Sequence, residues 1–166
     1  MRIYVDADAF PKDLKEILYK AVERVKVPLV LVAGKAMRAP QSLYISSLTV
    51  PGGIDAADDK IAELTEPGDI VITADIPLAD RVVSKGGLAI NPRGELYTER
   101  NIKERLATRD LLNDLRNNGL ISGGPSSFNP KNCQAFANQL DRLLTKHCKP
   151  KILKIEKSGV RSQESE

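Results

Sequence analysis

Apolar residues along this 166-residue chain recur in two alternating patterns, which predict a regular succession of strands and helices. Short, nearly continuous apolar runs are typical of strands buried on both faces, and apolar residues three and four positions apart are typical of amphipathic helices. Strands are predicted at residues 2–6, 28–32, 43–50, 69–73 and 88–90, and helices at residues 11–25, 55–64, 78–84, 101–117 and 130–147. The alternation predicts one three-layer α/β/α domain with a mainly parallel sheet and the first strand at its centre.

The first predicted strand ends in an acidic turn. Its last residue is Asp6, Asp8 follows two residues later, and Pro11 opens the next helix where its missing N–H costs nothing. Open α/β folds bind ligands at the carboxyl edge of the sheet, which is where this turn is expected to lie. Two carboxylates this close repel each other unless a cation or a proton separates them, so the turn indicates a metal site.

Two more acidic segments are expected to reach the same edge. The fourth predicted strand leads to Asp75, and Asp80 follows in the next helix. The second predicted helix begins with Asp55, which is either its N-cap or a ligand, and Asp58 lies at the margin of its apolar stripe. Asp59 lies further round the helix and is expected to face solvent.

The ligand type indicates which metal such a site would hold. Carboxylate oxygens are the ligands that Mg²⁺ and Mn²⁺ prefer, so one of these two ions is the expected cofactor. The candidate metal ligands are Asp6, Asp8, Asp55, Asp58, Asp75 and Asp80.

The fourth predicted helix carries arginines among its apolar positions instead of opposite them. Arg105, Arg109 and Arg116 fall in one angular sector of this helix. Because the planar guanidinium suits phosphate recognition, we interpret Arg109 and Arg116 as phosphate-binding residues. For Arg105 the favoured interpretation is a surface ion pair.

Two turns could supply further phosphate-binding groups. Arg93 follows the fifth predicted strand and could reach the sheet edge, and the backbone N–H groups of Gly123 and Gly124 could bind a phosphate. Each of these turns could also be a plain connection between elements.

Composition argues against several other classes of protein. With one histidine, Ser-His and Cys-His nucleophile mechanisms are nearly excluded, and two cysteines are too few for a disulfide framework. The longest apolar run, at residues 27–33, is far shorter than the roughly 20 residues of a membrane span. Since acidic residues stand where a signal peptide would be apolar, we expect a cytoplasmic protein that does not bind membranes.

The net charge of +3 comes from the end of the chain. Residues 146–166 contain six basic and three acidic side chains, and the preceding residues contain equal numbers of each. We predict a domain at residues 1–148 followed by a flexible basic tail at residues 149–166. Such a tail could help to capture a polyanion, although a solvated terminus is the simpler interpretation.

Several motifs together resemble the bacterial YaiI/YqxD family, from Met1 to about Leu144. They occur at residues 5–9 (VDADA), 53–58 (GIDAAD), 72–79 (ITADIPLA), 92–94 (PRG), 101–102 (NI), 109 (R), 115–116 (LR) and 123–125 (GGP). That family has no established activity and is grouped with PIN-like nuclease domains. The chain departs from the family in having Phe10 where a cysteine is usual.

The resemblance to PIN nucleases rests on three acids and implies a PIN-like fold. Asp6 matches the acid that ends the first strand, Asp58 the acid of the central helix, and Asp75 the acid at the end of a later strand. PIN nucleases often carry a fourth acid directly after the third. This chain has Ile76 and Pro77 there, which leaves Asp80 or Asp8 as a substitute.

Our first functional hypothesis is a Mg²⁺- or Mn²⁺-dependent nuclease that hydrolyses phosphodiester bonds, with RNA as its partner and substrate. Asp6, Asp58 and Asp75 are then the catalytic acids, and the arginines position the nucleic-acid backbone. The second hypothesis is a non-catalytic nucleic-acid-binding or regulatory module with a vestigial metal site.

A third hypothesis is a phosphatase of the haloacid-dehalogenase kind. Asp6 and Asp8 would be its nucleophile and acid, and Thr73 and Lys85 would bind the phosphate. In that fold the other metal-binding acids follow the lysine. Here Asp58 and Asp75 precede Lys85, which argues against this hypothesis. The sequence leaves the natural substrate, the number of metal ions and the oligomeric state open.

Overall fold

The computed structural model describes residues 1–53, 55–119 and 130–156, with the backbone alone for Ala9 and residues 147–156. Within these ranges the chain forms six strands and five helices. The strands are β1 (Ile3–Asp6), β2 (Leu29–Ala33), β3 (Ile45–Thr49), β4 (Ile70–Ile72), β5 (Leu88–Ile90) and β6 (Leu96–Tyr97). The helices are α1 (Lys12–Val25), α2 (Ala56–Leu64), α3 (Ile76–Ser84), α4 (Glu99–Asn117) and α5 (Pro130–Glu156).

The strands form one sheet in the order β3-β2-β1-β4-β5-β6. Neighbouring strands are parallel except for β5 and β6, which are antiparallel. β1 lies between β2 and β4, so the predicted central position of the first strand is confirmed. β6 was not predicted, because two residues are too few to show an alternating pattern.

Helices cover both faces of the sheet, which confirms the predicted three-layer α/β/α fold. Ile3 and Val5 of β1 pack in the core that includes the buried residues of α1 and α5. Tyr4, between them, packs in the core formed with α2, α3 and α4. Alternate residues of a strand point to opposite faces, so this pattern places each residue of β1 on a known side of the sheet.

The strand register sets up a polar row at the carboxyl edge of the sheet. Tyr4 of β1 is aligned with Val71 of β4, and Val71 is aligned with Ala89 of β5. Two residues further along, on the same face, these strands reach Asp6, Thr73 and Asn91. The face towards α2, α3 and α4 therefore ends in polar side chains on three neighbouring strands.

Three helix boundaries differ by two or more residues from those predicted. α4 begins at Glu99, two residues before the predicted start, because the Thr98 side chain caps it by accepting a hydrogen bond from the Asn101 N–H at 3.1 Å. α3 begins at Ile76, two residues before the predicted start, because the Asp75 side chain caps it by accepting a hydrogen bond from the Leu78 N–H at 2.9 Å. α5 continues to Glu156, nine residues past the predicted end. Residues 157–166 lie outside the described ranges, so the flexible tail stays a prediction.

In the part of the chain that the structure describes, each helix is too short or too polar to cross a lipid bilayer.

Gly94 tests how the turn after β5 packs on α5. Its φ is +92°, and a methyl group there would lie 2.6 Å from the carbonyl oxygen of Ala135. Gly68 has nearly the same φ, +90°, with open space around it. We expect Gly68→Ala to lower the free energy of unfolding by about 1 kcal/mol and Gly94→Ala by about 3 kcal/mol, measured by chemical denaturation. Equal losses would contradict the close contact of this turn with α5.

Candidate metal centre at the carboxyl edge of the sheet

Three elements bring carboxylates to the carboxyl edge on the α2–α4 side. Asp6 is the last residue of β1, Asp58 lies in the first turn of α2, and Asp75 follows β4 as the N-cap of α3. All three side chains are partly buried. Both helices begin at this edge because each follows a segment that comes from the sheet, and the edge therefore collects the acids of their first turns.

Burial and the charges of its neighbours mark Asp58 as the central member of this group. Burial and the negative charges of Asp6 and Asp75 raise the pKa of Asp58 to about 7, with further contributions from a hydrogen bond to Asp75 and the charge of Asp55. The pKa of Asp6 is also raised, by burial and by the charges of Asp8 and Asp75, and a hydrogen bond from Asp58 partly opposes this. The protonated Asp58 carboxyl can therefore donate to either neighbour.

The oxygen ligands of this group suit a hard divalent cation, but the side chains are not positioned to bind one as they stand. Partly buried carboxylates that repel one another are stabilised by a cation, and oxygen ligands suit Mg²⁺ and Mn²⁺. In the described ranges, however, no three His, Cys, Asp or Glu side chains are arranged to hold a metal ion as they stand. One Asp75 oxygen already accepts from the Leu78 N–H, so metal binding would use the other oxygen and would need the acidic side chains to move from their present positions.

Asp8 and Asp55 lie beside the central group. The Asp8 carboxylate is exposed and accepts a hydrogen bond from the Gly34 N–H at 2.8 Å, which ties the acidic turn to the loop after β2. Asp55 precedes α2 but its side chain makes no capping hydrogen bond. Of the two interpretations of Asp55, a place near the candidate ligands is the one that its effect on Asp58 supports.

Asp80 and Asp59 are directed elsewhere. The Asp80 carboxylate lies 3.4 Å from the Lys103 ammonium of α4, and Asp80 is not among the groups that shift the pKa of Asp6 or Asp58. The structure thus does not bring this candidate ligand into the group, because it lies more than one helical turn beyond the cap of α3. Asp59 is exposed, as expected, and forms a 2.7 Å ion pair with Arg81.

A cavity of about 340 Å³ opens beside Asp58 and Asp75. Its polar lining consists of Asp55, Asp58, Asp59, Asp75, Arg81 and Arg109. Acids that could hold a cation and arginines that could hold an anion therefore share one cavity. Arg81 was not singled out in the sequence, where it is one exposed basic residue near the end of a short helix.

The arginines of α4 divide into two kinds. Arg105 forms an ion pair with Glu95, which agrees with the favoured interpretation for this residue. Arg109, one turn further on, is exposed, lies 3.4 Å from Asp110 and lines the acidic cavity. Arg116 is exposed near the end of α4, where it lies 3.4 Å from the Asn113 side chain. From Arg109 onwards no residue of α4 is buried, so this end of the helix remains open to a partner.

The other proposed phosphate-binding groups are not brought to the cavity by the described structure. Arg93 lies in the turn after β5 and hydrogen-bonds to Asn132 of α5 at 3.5 Å, on the opposite face of the sheet. Gly123 and Gly124 lie outside the described residues. Their roles stay predictions.

Lys85 argues against the phosphatase hypothesis. It follows α3 at the opposite end from Asp75, and its ammonium donates to the carbonyl oxygens of Ala62 at 2.6 Å and Glu63 at 3.2 Å. The lysine therefore secures the end of α2 at the amino edge of the sheet, away from Asp6.

The raised pKa of Asp58 predicts a pH-dependent stability. A carboxyl whose folded pKa is about 7, above the usual 3.8, stabilises the folded state at low pH and loses that contribution as the pH rises through 7. Asp58→Asn should match the wild type in unfolding free energy near pH 4. It should exceed the wild type at pH 8 by on the order of 1 kcal/mol, discounted for solvent screening. Urea denaturation across this range is the measurement and Asp59→Asn the control; a constant difference would contradict the repulsion.

Comparison with known proteins places the chain in a bacterial family. Residues 4–146 match the family described as "Uncharacterized BCR, YaiI/YqxD family". A "UPF0178 protein" of Shewanella woodyi is 55% identical over 150 residues, which cover 90% of this chain and 99% of the relative. One of Hahella chejuensis is 54% identical over 149 residues, with coverage of 90% and 99%. No solved structure matches the chain. The chain belongs to the YaiI/YqxD family.

Proposed function

We propose that this protein is a Mg²⁺- or Mn²⁺-dependent nuclease that hydrolyses phosphodiester bonds in RNA. The observation that carries the proposal is the meeting of Asp6, Asp58 and Asp75, from three separate elements, beside a cavity that Arg81 and Arg109 also line. The match of these three acids to the acids of PIN nucleases supports the same reaction.

In this proposal Asp6, Asp58 and Asp75 hold the metal ion. The bound ion supplies an activated water molecule and stabilises the charge that develops on the phosphodiester. Because the pKa of Asp58 is about 7, this residue loses its proton when it becomes a ligand, and metal binding is therefore weaker below that pH. Asp75 keeps its capping contact with Leu78, which fixes its carboxylate relative to α3.

The arginines bind the backbone of the RNA. Without a bound metal ion the acidic group repels phosphate. The affinity for RNA therefore depends on the positively charged side chains placed around this group. Arg109 and Arg81 flank the cavity, and Arg116 lies two helical turns beyond Arg109 on the exposed part of α4. Contacts of this kind position a backbone without reading its sequence.

One observation favours a second candidate function, a non-catalytic RNA-binding module. The acids of the described residues are not arranged to hold a metal ion as they stand. A protein that uses only the arginines would bind RNA and would not need metal. Cleavage that depends on Mn²⁺ or Mg²⁺ separates the two functions.

Asp75→Asn tests the role of the acids. Asparagine preserves the helix cap, since its side-chain oxygen can still accept from the Leu78 N–H, but it removes a metal-binding charge. We expect wild-type protein to cleave single-stranded RNA slowly with Mn²⁺ and not with EDTA. Asp75→Asn should lose about a hundredfold in rate or more, because even the loss of a group that only supports a metal ligand costs roughly 10–100-fold. Binding should be unchanged or tighter, because a negative charge that faces phosphate has gone.

Asp80→Asn is the matched control, on the same helix but outside the acidic group. It should cleave like the wild type. Equal activity in Asp75→Asn and the wild type would indicate a contaminating nuclease, and binding without cleavage by the wild type would favour the non-catalytic module.

Arg109→Ala tests the role of the arginines. The variant should bind single-stranded RNA more weakly, and the slope of log affinity against log salt concentration should fall by about one charge, as measured by fluorescence anisotropy. Arg142→Ala on α5, on the opposite face of the sheet, is the control and should leave the slope unchanged. The same slope in both variants would remove Arg109 from the RNA-binding surface.

A further inference from the structure

A hydrogen-bond network joins the turn after β5 to the acidic edge. The side-chain oxygen of Asn91 accepts from the N–H groups of Arg93 at 2.9 Å and Glu95 at 3.0 Å. Its amide nitrogen donates to the Glu95 carboxylate at 3.2 Å and to the Tyr97 hydroxyl at 3.3 Å. Since backbone N–H groups can only donate, the orientation of this amide is fixed, and the Tyr97 oxygen must be the acceptor.

The network is anchored at its outer end. Arg105 of α4 forms an ion pair with Glu95, which in turn accepts from Asn91. The ion pair between Arg105 and Glu95 therefore also helps to hold the amide of Asn91 in place. A residue with both amide groups engaged in this way has little freedom to rotate.

The Tyr97 ring is buried and its hydroxyl lies near Asp75. Tyr97 is 5% exposed and packs in the core below α2, α3 and α4. Asn91 follows Ile90, whose carbonyl accepts from the Thr73 N–H at 3.0 Å, and the Thr73 hydroxyl accepts from the Asp75 N–H at 3.0 Å. Burial and the charge of Asp75 raise the pKa of Tyr97, while the hydrogen bond from Asn91 lowers it, so the phenol remains protonated.

The hydroxyl hydrogen of Tyr97 is not used within the described structure. Asn91 occupies the oxygen as a donor, and the hydroxyl donates to none of the described residues. A buried donor without an acceptor is destabilising, so a site that retains one gains when a ligand supplies the acceptor. A phosphate oxygen is a strong acceptor, and Arg81 and Arg109 beside the cavity could bring one to this edge.

We propose, on the basis of the proposed function, that the Tyr97 hydroxyl donates a hydrogen bond to a non-bridging oxygen of the phosphodiester held at the acidic edge. Asn91 donates to the hydroxyl oxygen and so leaves the hydroxyl hydrogen available for this contact. Tyr97 is thus a substrate-contacting residue from the one strand that sequence patterns did not predict, and it complements the arginines by contacting the same phosphate from the interior of the domain.

Tyr97→Phe removes only the hydroxyl, and Tyr19→Phe on α1, at the other face of the sheet, is the matched control. The probes are a 2′-O-methyl RNA trinucleotide and the same trinucleotide with neutral methylphosphonate linkages, titrated by NMR with Mg²⁺. We expect Tyr97→Phe to weaken binding of the phosphodiester probe about tenfold. The loss for the methylphosphonate probe should be clearly smaller, because its one remaining non-bridging oxygen is uncharged and accepts a weaker hydrogen bond. Tyr19→Phe should bind both probes like the wild type.

The outcomes separate this inference from the proposed function. Wild-type binding of the phosphodiester probe with no loss in Tyr97→Phe overturns the role of Tyr97 and leaves the proposed function standing. Equal losses for both probes show a structural role and also overturn it. Wild-type protein that binds neither probe, with or without Mg²⁺, overturns both proposals.

Discussion

The repulsion among partly buried carboxylates at the carboxyl edge of the sheet is the constraint on which the rest of the site depends. Burial and the nearby charges of Asp6 and Asp75 raise the pKa of Asp58 to about 7, so the group does not carry its full charge at neutral pH. A proton on Asp58 or a cation among the three can offset that repulsion. Above pH 7 Asp58 loses this proton, and the proposed metal ion is then the group that offsets the repulsion.

The fold produces this arrangement with few elements. β1 delivers Asp6 directly, and α2 and α3 start at the same edge, so their first turns deliver Asp58 and Asp75. α4 packs beside α3 and continues past its buried section, carrying Arg109 and Arg116. The sheet and the first turns of α2 and α3 thus place the acids at one edge, whereas Arg109 and Arg116 lie on a part of α4 in which no residue is buried.

The sequence allowed the sheet and the three central acids to be predicted, because both follow from local patterns. Continuous apolar runs revealed β1, β2, β4 and β5, and the helical angle separated Asp58 from Asp59. Contacts between distant residues left no such signal. The pairing of Asp80 with Lys103 and of Arg105 with Glu95 depends on how α3, α4 and the turn after β5 pack together. Tyr97 was not predicted as a site residue, because β6 has only two residues and shows no alternating pattern.

The most direct test of the account is a crystal structure of the protein soaked in Mn²⁺, with the ion located by its anomalous scattering. The account predicts a manganese peak within coordination distance, about 2.2 Å, of oxygen atoms from Asp6, Asp58 and Asp75 together. A peak bound by other carboxylates, or no peak at this edge when the crystal is soaked above pH 7, would contradict it.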